Sequence, residues 1–481
     1  MAKLKNIVKQ LSEKDYQAIY KSLIESNAEK SAYLLKSLRE RQLSDSKIMN
    51  ELEVNANAYY TLRSRLNQKI EEHLIQQMES PRTDILRKVA NLNDVLFTKK
   101  RTISIATLKK LEKELIDYDL ANELTVIYKS LKKININSPD HFTYSQLYNR
   151  HVAYMLAIDK AEDLLAEYFK RFGSYILSGD ETEKMGLTLL VREMQNVANL
   201  YSSHRLYVFK NCMKVFHALF VEEDEKMEGE SMEDTFTQVQ KIFDAYPLDS
   251  LYYHLNLVFE FLKLEYYNHY KVYREAEKYY EEVNEATTNL LMNYPYYTFS
   301  ARFLISKIER HLRMDLEKEL YAENENLFVE LEVDQNDVPK HVIYVVYRAL
   351  SCYYADKYEE AAKWINTLLN EVSLKKYPVA QMEVKSILAL QYCMIQDFDL
   401  FNQLTSSIQR QIRMLGKDSC ENIMLFIKIM KVAVSEAKKE KKKKINNLIP
   451  KFKFIKVSYF APTMLIRMDD AFVDKLITLD A

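Results

Sequence analysis

The chain is 481 residues long, 48% hydrophobic and 28% charged, and its 68 Lys and Arg against 69 Asp and Glu give a formal charge of −1. This balance excludes a disordered polyelectrolyte and a surface that is basic overall, as a general nucleic-acid footprint would be. Only five glycines and eight prolines occur, too few for the tight turns of a large sheet, so composition predicts an all-α protein.

Residues 1–80 read as a helical N-terminal region. No apolar leader segment and no window of eighteen apolar residues is present, so neither a signal peptide nor a membrane span is expected, and the expected compartment is the cytoplasm. "SEKDYQAIYKSLIES" and "EKSAYLLKSLRERQL" predict two short helices, with Ser12 and Asn27 as N-caps. The next stretch, "SDSKIMNELEVNANAYYTLRSRLNQKIEEHL" (44–74), resembles a helix-turn-helix of the sigma-factor and response-regulator kind. Ile48, Leu52, Val54, Ala58 and Leu62 stand where that motif keeps its core, and Asn55 stands at the N-cap of its second helix. Met49 and Glu53 depart from it, replacing the usual small residue and the usual turn glycine. The resemblance implies that Tyr59, Tyr60, Arg63 and Arg65 face phosphates or base edges.

Residues 81–437 carry helical periodicity throughout. Leu108, Leu111, Leu115, Tyr118, Leu124, Ile127, Tyr128 and Leu131 recur at three- and four-residue steps, as do Ala153, Leu156, Ala157, Ala161, Leu164, Leu165 and Phe169. Pro247, Pro295, Pro339 and Pro378 follow one another at near-regular intervals and read as boundaries of repeated units. Ala349 and Ala389 show the same spacing, as do Tyr358 and Phe398. "ALSCYYADKYEEAAKWINTLL" (349–369) resembles a tetratricopeptide repeat through Ala349, Tyr353, Tyr358 and Ala361. "LEYYNHYKVYREAEKYYEEV" and "LALQYCMIQDFDLFNQL" match in part, with Leu264 and Phe401 where the family prefers small residues. The resemblance implies an α-solenoid of antiparallel helix pairs with a period of about 40, longer than the family's usual 34.

Thirty-five tyrosines occur. Tyr252, Tyr253, Tyr266, Tyr267 and Tyr270 are the candidates for lining a partner-binding groove, since tyrosine combines a large apolar ring with a polar tip. "VEEDEKMEGESMEDTF" (221–236) reads as an acidic connection. Residues 438–481 form a tail. Its run Lys438–Lys444 reads as a solvated helix end or an anion-binding block, and "KFKFIKVSYF" alternates like a strand. A small β-hairpin, or an irregular extended arm lying back on the helices, is expected after Pro450.

The nine histidines form no H-x-x-x-H pair, and phosphate-binding glycine loops and nucleophile elbows are absent. Cys212, Cys352, Cys393 and Cys420 form no C-x-x-C pair and read as reduced, buried thiols. No catalytic residue, metal site or cofactor is therefore expected. The resulting expectation is a non-catalytic scaffold or adaptor that binds a protein or peptide on a concave helical surface. The alternative is a DNA-binding transcription regulator with residues 44–74 on DNA and the repeats sensing a peptide or pairing two copies as a homodimer, an arrangement known from some bacterial peptide-responsive regulators.

Overall fold

The computed structural model describes Leu4, Val8, Leu11 and residues 13–479, leaving aside 27, 42–44, 53, 78–80, 223–230, 247, 248, 294, 295, 331–333, 417–419, 436 and 437. The expected caps Ser12 and Asn27, the turn residue Glu53, Pro247, Pro295 and half of the acidic connection (223–230) lie outside the described residues, and the connection's last residues, from Met232, are helical. Those described are helical or irregular, with no strand among them, so the all-α class holds. None of their helices is long and apolar enough to cross a membrane.

The chain forms two compact units, residues 1–144 and 145–481; the expected boundaries were at 80 and 437. In the first unit, helices α1 (Glu13–Glu25), α2 (Glu29–Lys36), α3 (Asp45–Glu51) and α4 (Ala56–Gln77) share a core built on Tyr16, Leu35, Ile48, Tyr59, Leu66 and Ile70. Then follow α5 (Pro81–Ala90), α6 (Leu92–Thr98) and the hairpin of α7 (Arg101–Asp117) with α8 (Ala121–Ile134). The apolar stripe read from the sequence closes that hairpin: Leu108, Leu111, Leu115, Leu124, Ile127, Tyr128 and Leu131 are all buried.

The long helix α9 (Asp140–Ser178) opens before the second unit and runs into it. It is followed by α10 (Glu181–Asn199), α11 (His204–Phe220), α12 (Met232–Ala245), α13 (Ser250–His269), α14 (Tyr273–Glu285), α15 (Thr287–Asn293) and α16 (Arg302–Met314). After the short α17 (Leu320–Glu323) and α18 (Glu325–Glu330) come α19 (Val338–Tyr354), α20 (Tyr358–Glu371), α21 (Pro378–Ile395), α22 (Phe398–Leu415), α23 (Glu421–Ser435), α24 (Lys438–Phe454) and α25 (Asp470–Ile477). Neighbours joined by two or three residues pack as hairpins: α13 on α14, α19 on α20, α21 on α22. Pro339 and Pro378 sit in the first turns of α19 and α21, where the missing N–H costs nothing.

One turn recurs. Asp119, Lys271, Asp315, Asp356 and Gln396 all have positive φ, between 52° and 65°. In each case the next residue's N–H reaches back five residues to a helical carbonyl, for example Val272 to Tyr267 O at 2.8 Å and Lys357 to Cys352 O at 2.9 Å. This is the Schellman termination, usually built on glycine. The last four of these turns follow one another at nearly even spacing along the chain. Tyr273, Tyr358 and Phe398 each follow the left-handed residue by two positions and begin the second helix. A side chain in the left-handed region costs about 1–2 kcal/mol, part of which glycine returns through its looser unfolded state. Gln396→Gly, at an exposed position, is therefore expected to raise stability by about 0.5–1 kcal/mol, and Gln396→Val to lower it, as read from urea midpoints.

The tail meets its expectation in part: the helix runs past Pro450 and no hairpin forms, but an irregular arm follows. Lys438–Phe454 is helical with Pro450 inside it, and no strand forms over 451–460. Ile445, Leu448, Ile449 and Phe452 bury one helical stripe, while Phe454 stays 90% exposed. Burying that stripe outweighs the roughly 3 kcal/mol an internal proline costs. Residues 455–469 then lie back on earlier helices as an irregular arm. Phe460 N–H donates to Ile176 O (2.6 Å), the Tyr354 hydroxyl to Leu465 O (2.6 Å) and Thr463 N–H to the buried Glu383 Oε2 (3.1 Å). Arg467 pairs with Asp315, Glu317 and Asp469. Within the basic run, Lys441 is buried with its Nζ on Leu479 O (3.0 Å), and Lys442 pairs with Asp474 (3.2 Å).

Candidate functional site

The tyrosine-rich helix α13 presents consecutive pairs, Tyr252–Tyr253 and Tyr266–Tyr267. Adjacent helical residues point about 100° apart, so only one of each pair can face the core. Tyr252 (1% exposed) and Tyr266 (8%) are the inward members; Tyr266 is corrected from a partner contact to a packing residue, while Tyr252 packs inward and still borders the first of the hollows described next. The Tyr252 hydroxyl is hydrogen-bonded to His204 Nδ1 (2.5 Å), and its ring lies 5.5 Å from that of Phe243. The Tyr266 hydroxyl donates to the Glu233 carboxylate; burial first, and then that bond, push its pKa upward. Tyr253 (74% exposed) and Tyr270 (54%) remain at the surface, and Tyr267 is half-buried.

Helices α12, α13 and α14 build a groove around them. It consists of two adjoining hollows of about 520 and 390 Å³ that share Gln240 and Asp244. Tyr246, Tyr253, His254 and Glu282 line the first, and Lys241, Lys263, Tyr267 and Tyr279 the second. A polar and aromatic ladder orders the second hollow. Lys263 Nζ donates to Glu260 Oε1 (2.8 Å) and Gln240 Oε1 (3.2 Å), and lies 5.5 Å from the centre of the Tyr279 ring. Tyr279 in turn stacks on Tyr267, with rings 5.8 Å apart and 5° from parallel. Burial, more than the neighbouring Tyr267 and glutamates, pushes the Tyr279 hydroxyl up. Gln240 Nε2 donates to Asp244 Oδ1 at 3.1 Å. The groove thus offers aromatic faces, amides and both signs of charge to a chain laid across three helices. Tyr270 does not line either hollow. The contributions of Gln240, Asp244, Tyr246 and Tyr279 were not read from the sequence, because they come from helices that only packing brings beside α13.

The other candidate region is α3–α4. Asn55 caps α4 as expected, its Oδ1 accepting the Ala58 N–H at 2.9 Å. Ile48 and Leu52 are buried and Val54 and Leu62 pack against them, but Ala58 is exposed. Tyr59, expected on the nucleic-acid face, is fully buried and is corrected to a core residue. It heads the stripe Tyr59, Leu62, Leu66, Ile70 by which α4 packs on α1 and α2. The Tyr60 side chain lies outside the described residues. Arg63 is half-buried; Arg65 is exposed on one helical face with Ala58, Thr61 and Gln68. All four cysteines are buried, and burial pushes the Cys352 and Cys393 thiols up to about 12, so they are inert as nucleophiles.

No family model matches the chain, and neither a curated protein nor a solved structure does.

Proposed function

We propose that the protein is a non-catalytic scaffold or adaptor that holds a protein or peptide segment along a tetratricopeptide-like array in its second unit. The observation that carries this reading is the groove of α12–α14, where Tyr253, Tyr267 and Tyr279 from two helices line hollows bounded by a third. Tyrosine, with Trp and Arg, is enriched among the residues that anchor protein interfaces. The near-even spacing of the left-handed turns at Lys271, Asp315, Asp356 and Gln396 supports the repeat reading. Partner recovery from cells by the tagged full chain is expected to survive nuclease and to fall tenfold or more in the Tyr253→Ala/Tyr267→Ala variant. Equal recovery by that variant would end this reading.

A second reading, the DNA-binding regulator, draws on the capped helix α4 and its exposed Arg65. With Tyr59 in the core, Thr61, Arg65 and Gln68 would have to meet DNA. Recovery dominated by nuclease-sensitive DNA, and lost in Arg65→Ala, would favour it over the scaffold.

A further inference from the structure

A different hollow in the second unit has a more pointed chemistry. Between α22 and α23 lies a groove of about 420 Å³. Its floor is aliphatic, with Ile412 and Ile427 almost fully buried beside Met424 and Val432. Its rim carries Arg413 from one helix and Lys428 and Lys431 from the other, and no carboxylate stands among its described lining. Elsewhere in the unit, lysines in similar settings are paired: Lys263 with Glu260 at 2.8 Å, Lys340 with Asp337 at 2.9 Å. Here neutral amides take the carboxylate's place. Lys431 Nζ donates to Gln409 Oε1 (3.1 Å), and Lys385, one helix away on α21, donates to Gln411 Oε1 (3.2 Å). Burial alone holds both lysines below the ordinary lysine range.

In a chain whose charges otherwise balance, three cations over an apolar floor leave an electrostatic demand that nothing in the lining meets. Lys431, partly removed from water without a counter-charge, carries a free-energy cost that an arriving anion offsets, and the exposed Arg413 and Lys428 add the positive potential that draws the anion in. The aliphatic floor asks in addition for apolar groups between the anions. Nucleic acid fits less well, because the described lining holds no aromatic ring on which bases could stack. A membrane fits less well because the apolar residues form a recessed floor between helices, whereas a lipid surface needs them to protrude.

We propose that the groove between α22 and α23 is a docking site for an acidic peptide segment of a partner protein. Its carboxylates meet Arg413, Lys428 and Lys431, and its apolar side chains cover Ile412 and Ile427. The site is separate from the tyrosine groove and stands or falls independently of it.

The test uses the full chain and a fluorescein-labelled peptide of eight glutamates and four leucines, followed by anisotropy. Arg413→Glu/Lys428→Glu reverses two exposed charges, so the fold is kept. Binding of the glutamate peptide is expected to weaken roughly tenfold, and a matching lysine–leucine peptide is expected to gain affinity for the variant. That gain cannot come from misfolding. The Tyr253→Ala/Tyr267→Ala variant is expected to bind the glutamate peptide as the parent does. Absence of binding, or equal binding by the charge-reversed variant, overturns the proposal. So does tighter binding of an oligo-dT strand or of phosphatidylserine vesicles than of the glutamate peptide, if the same two substitutions abolish it.

Discussion

Phe216→Ala is expected to remove about 3–5 kcal/mol from the stability of the second unit, the largest loss at any single position considered. Phe216 on α11 is fully buried and meets α9 through three rings nearly edge-on: Phe172 at 4.7 Å, Phe169 at 5.0 Å and Tyr168 at 6.3 Å. Phe172 extends the cluster to Phe299 at 5.2 Å. Each such pair adds about 0.5–1.5 kcal/mol beyond its buried area, and truncation leaves a cavity that rigid helices cannot close. The cluster ties helices far apart in the chain, so the loss should appear as a lower urea midpoint for the whole unit. Phe216→Leu, which keeps most of the volume, should lose less than half as much. A loss under about 1.5 kcal/mol for Phe216→Ala would show that the cluster is looser than its geometry implies.

Glu383→Gln is expected to flatten the pH dependence of stability. Glu383 is fully buried beneath the C-terminal arm, and burial pushes its carboxyl up to about 7 against the hydrogen bonds from Thr463 and Asn422. Glu265, also buried, is pushed up to about 7 by burial, against the opposing pull of Arg302. A carboxyl that titrates near 7 when folded and near 4.5 when unfolded holds more protons in the folded state between those values. Its contribution is fully present below about 4.5 and is lost as pH rises through about 7. Each group therefore removes on the order of 3 kcal/mol between pH 4.5 and 8. His217 and His341, lowered by burial, act in the opposite sense near pH 6.5, so the decisive quantity is the difference between variant and parent. Urea midpoints at pH 5.5 and 8 should show Glu383→Gln gaining on the parent as pH rises, and Glu265→Gln doing the same. A constant offset at both pH values would mean that Glu383 is already ionised in the fold.

Several features of the protein were legible in the chain because they depend on residues within one helical turn of each other. Scarce glycine and three- and four-residue apolar steps specify helices. Asn55 before an apolar stripe specifies a helix start. The aromatic residues Tyr273, Tyr358 and Phe398 mark the starts of second helices after a shared turn. Even Tyr59 could have been placed, since Leu62, Leu66 and Ile70 continue its stripe.

Other features answer to partners far away along the chain. Which tyrosine of each α13 pair turns inward depends on α11 and α12, through His204, Phe243 and Glu233. Pro450 stays helical because Phe452 and its neighbours find a core to enter, for example Phe426 at 6.0 Å. The alternation in "KFKF" could not foresee that, since a four-residue pattern fits a strand and a helix end equally well. The cationic groove is the clearest case. Arg413, Lys428 and Lys431 are ordinary surface residues in the sequence, and only the packing of α22 on α23 sets them around one apolar floor without a carboxylate. Local chemistry thus determined the elements and their turns. The tertiary structure decided which faces meet, because burial is a property of two surfaces and the chain spells out only one at a time.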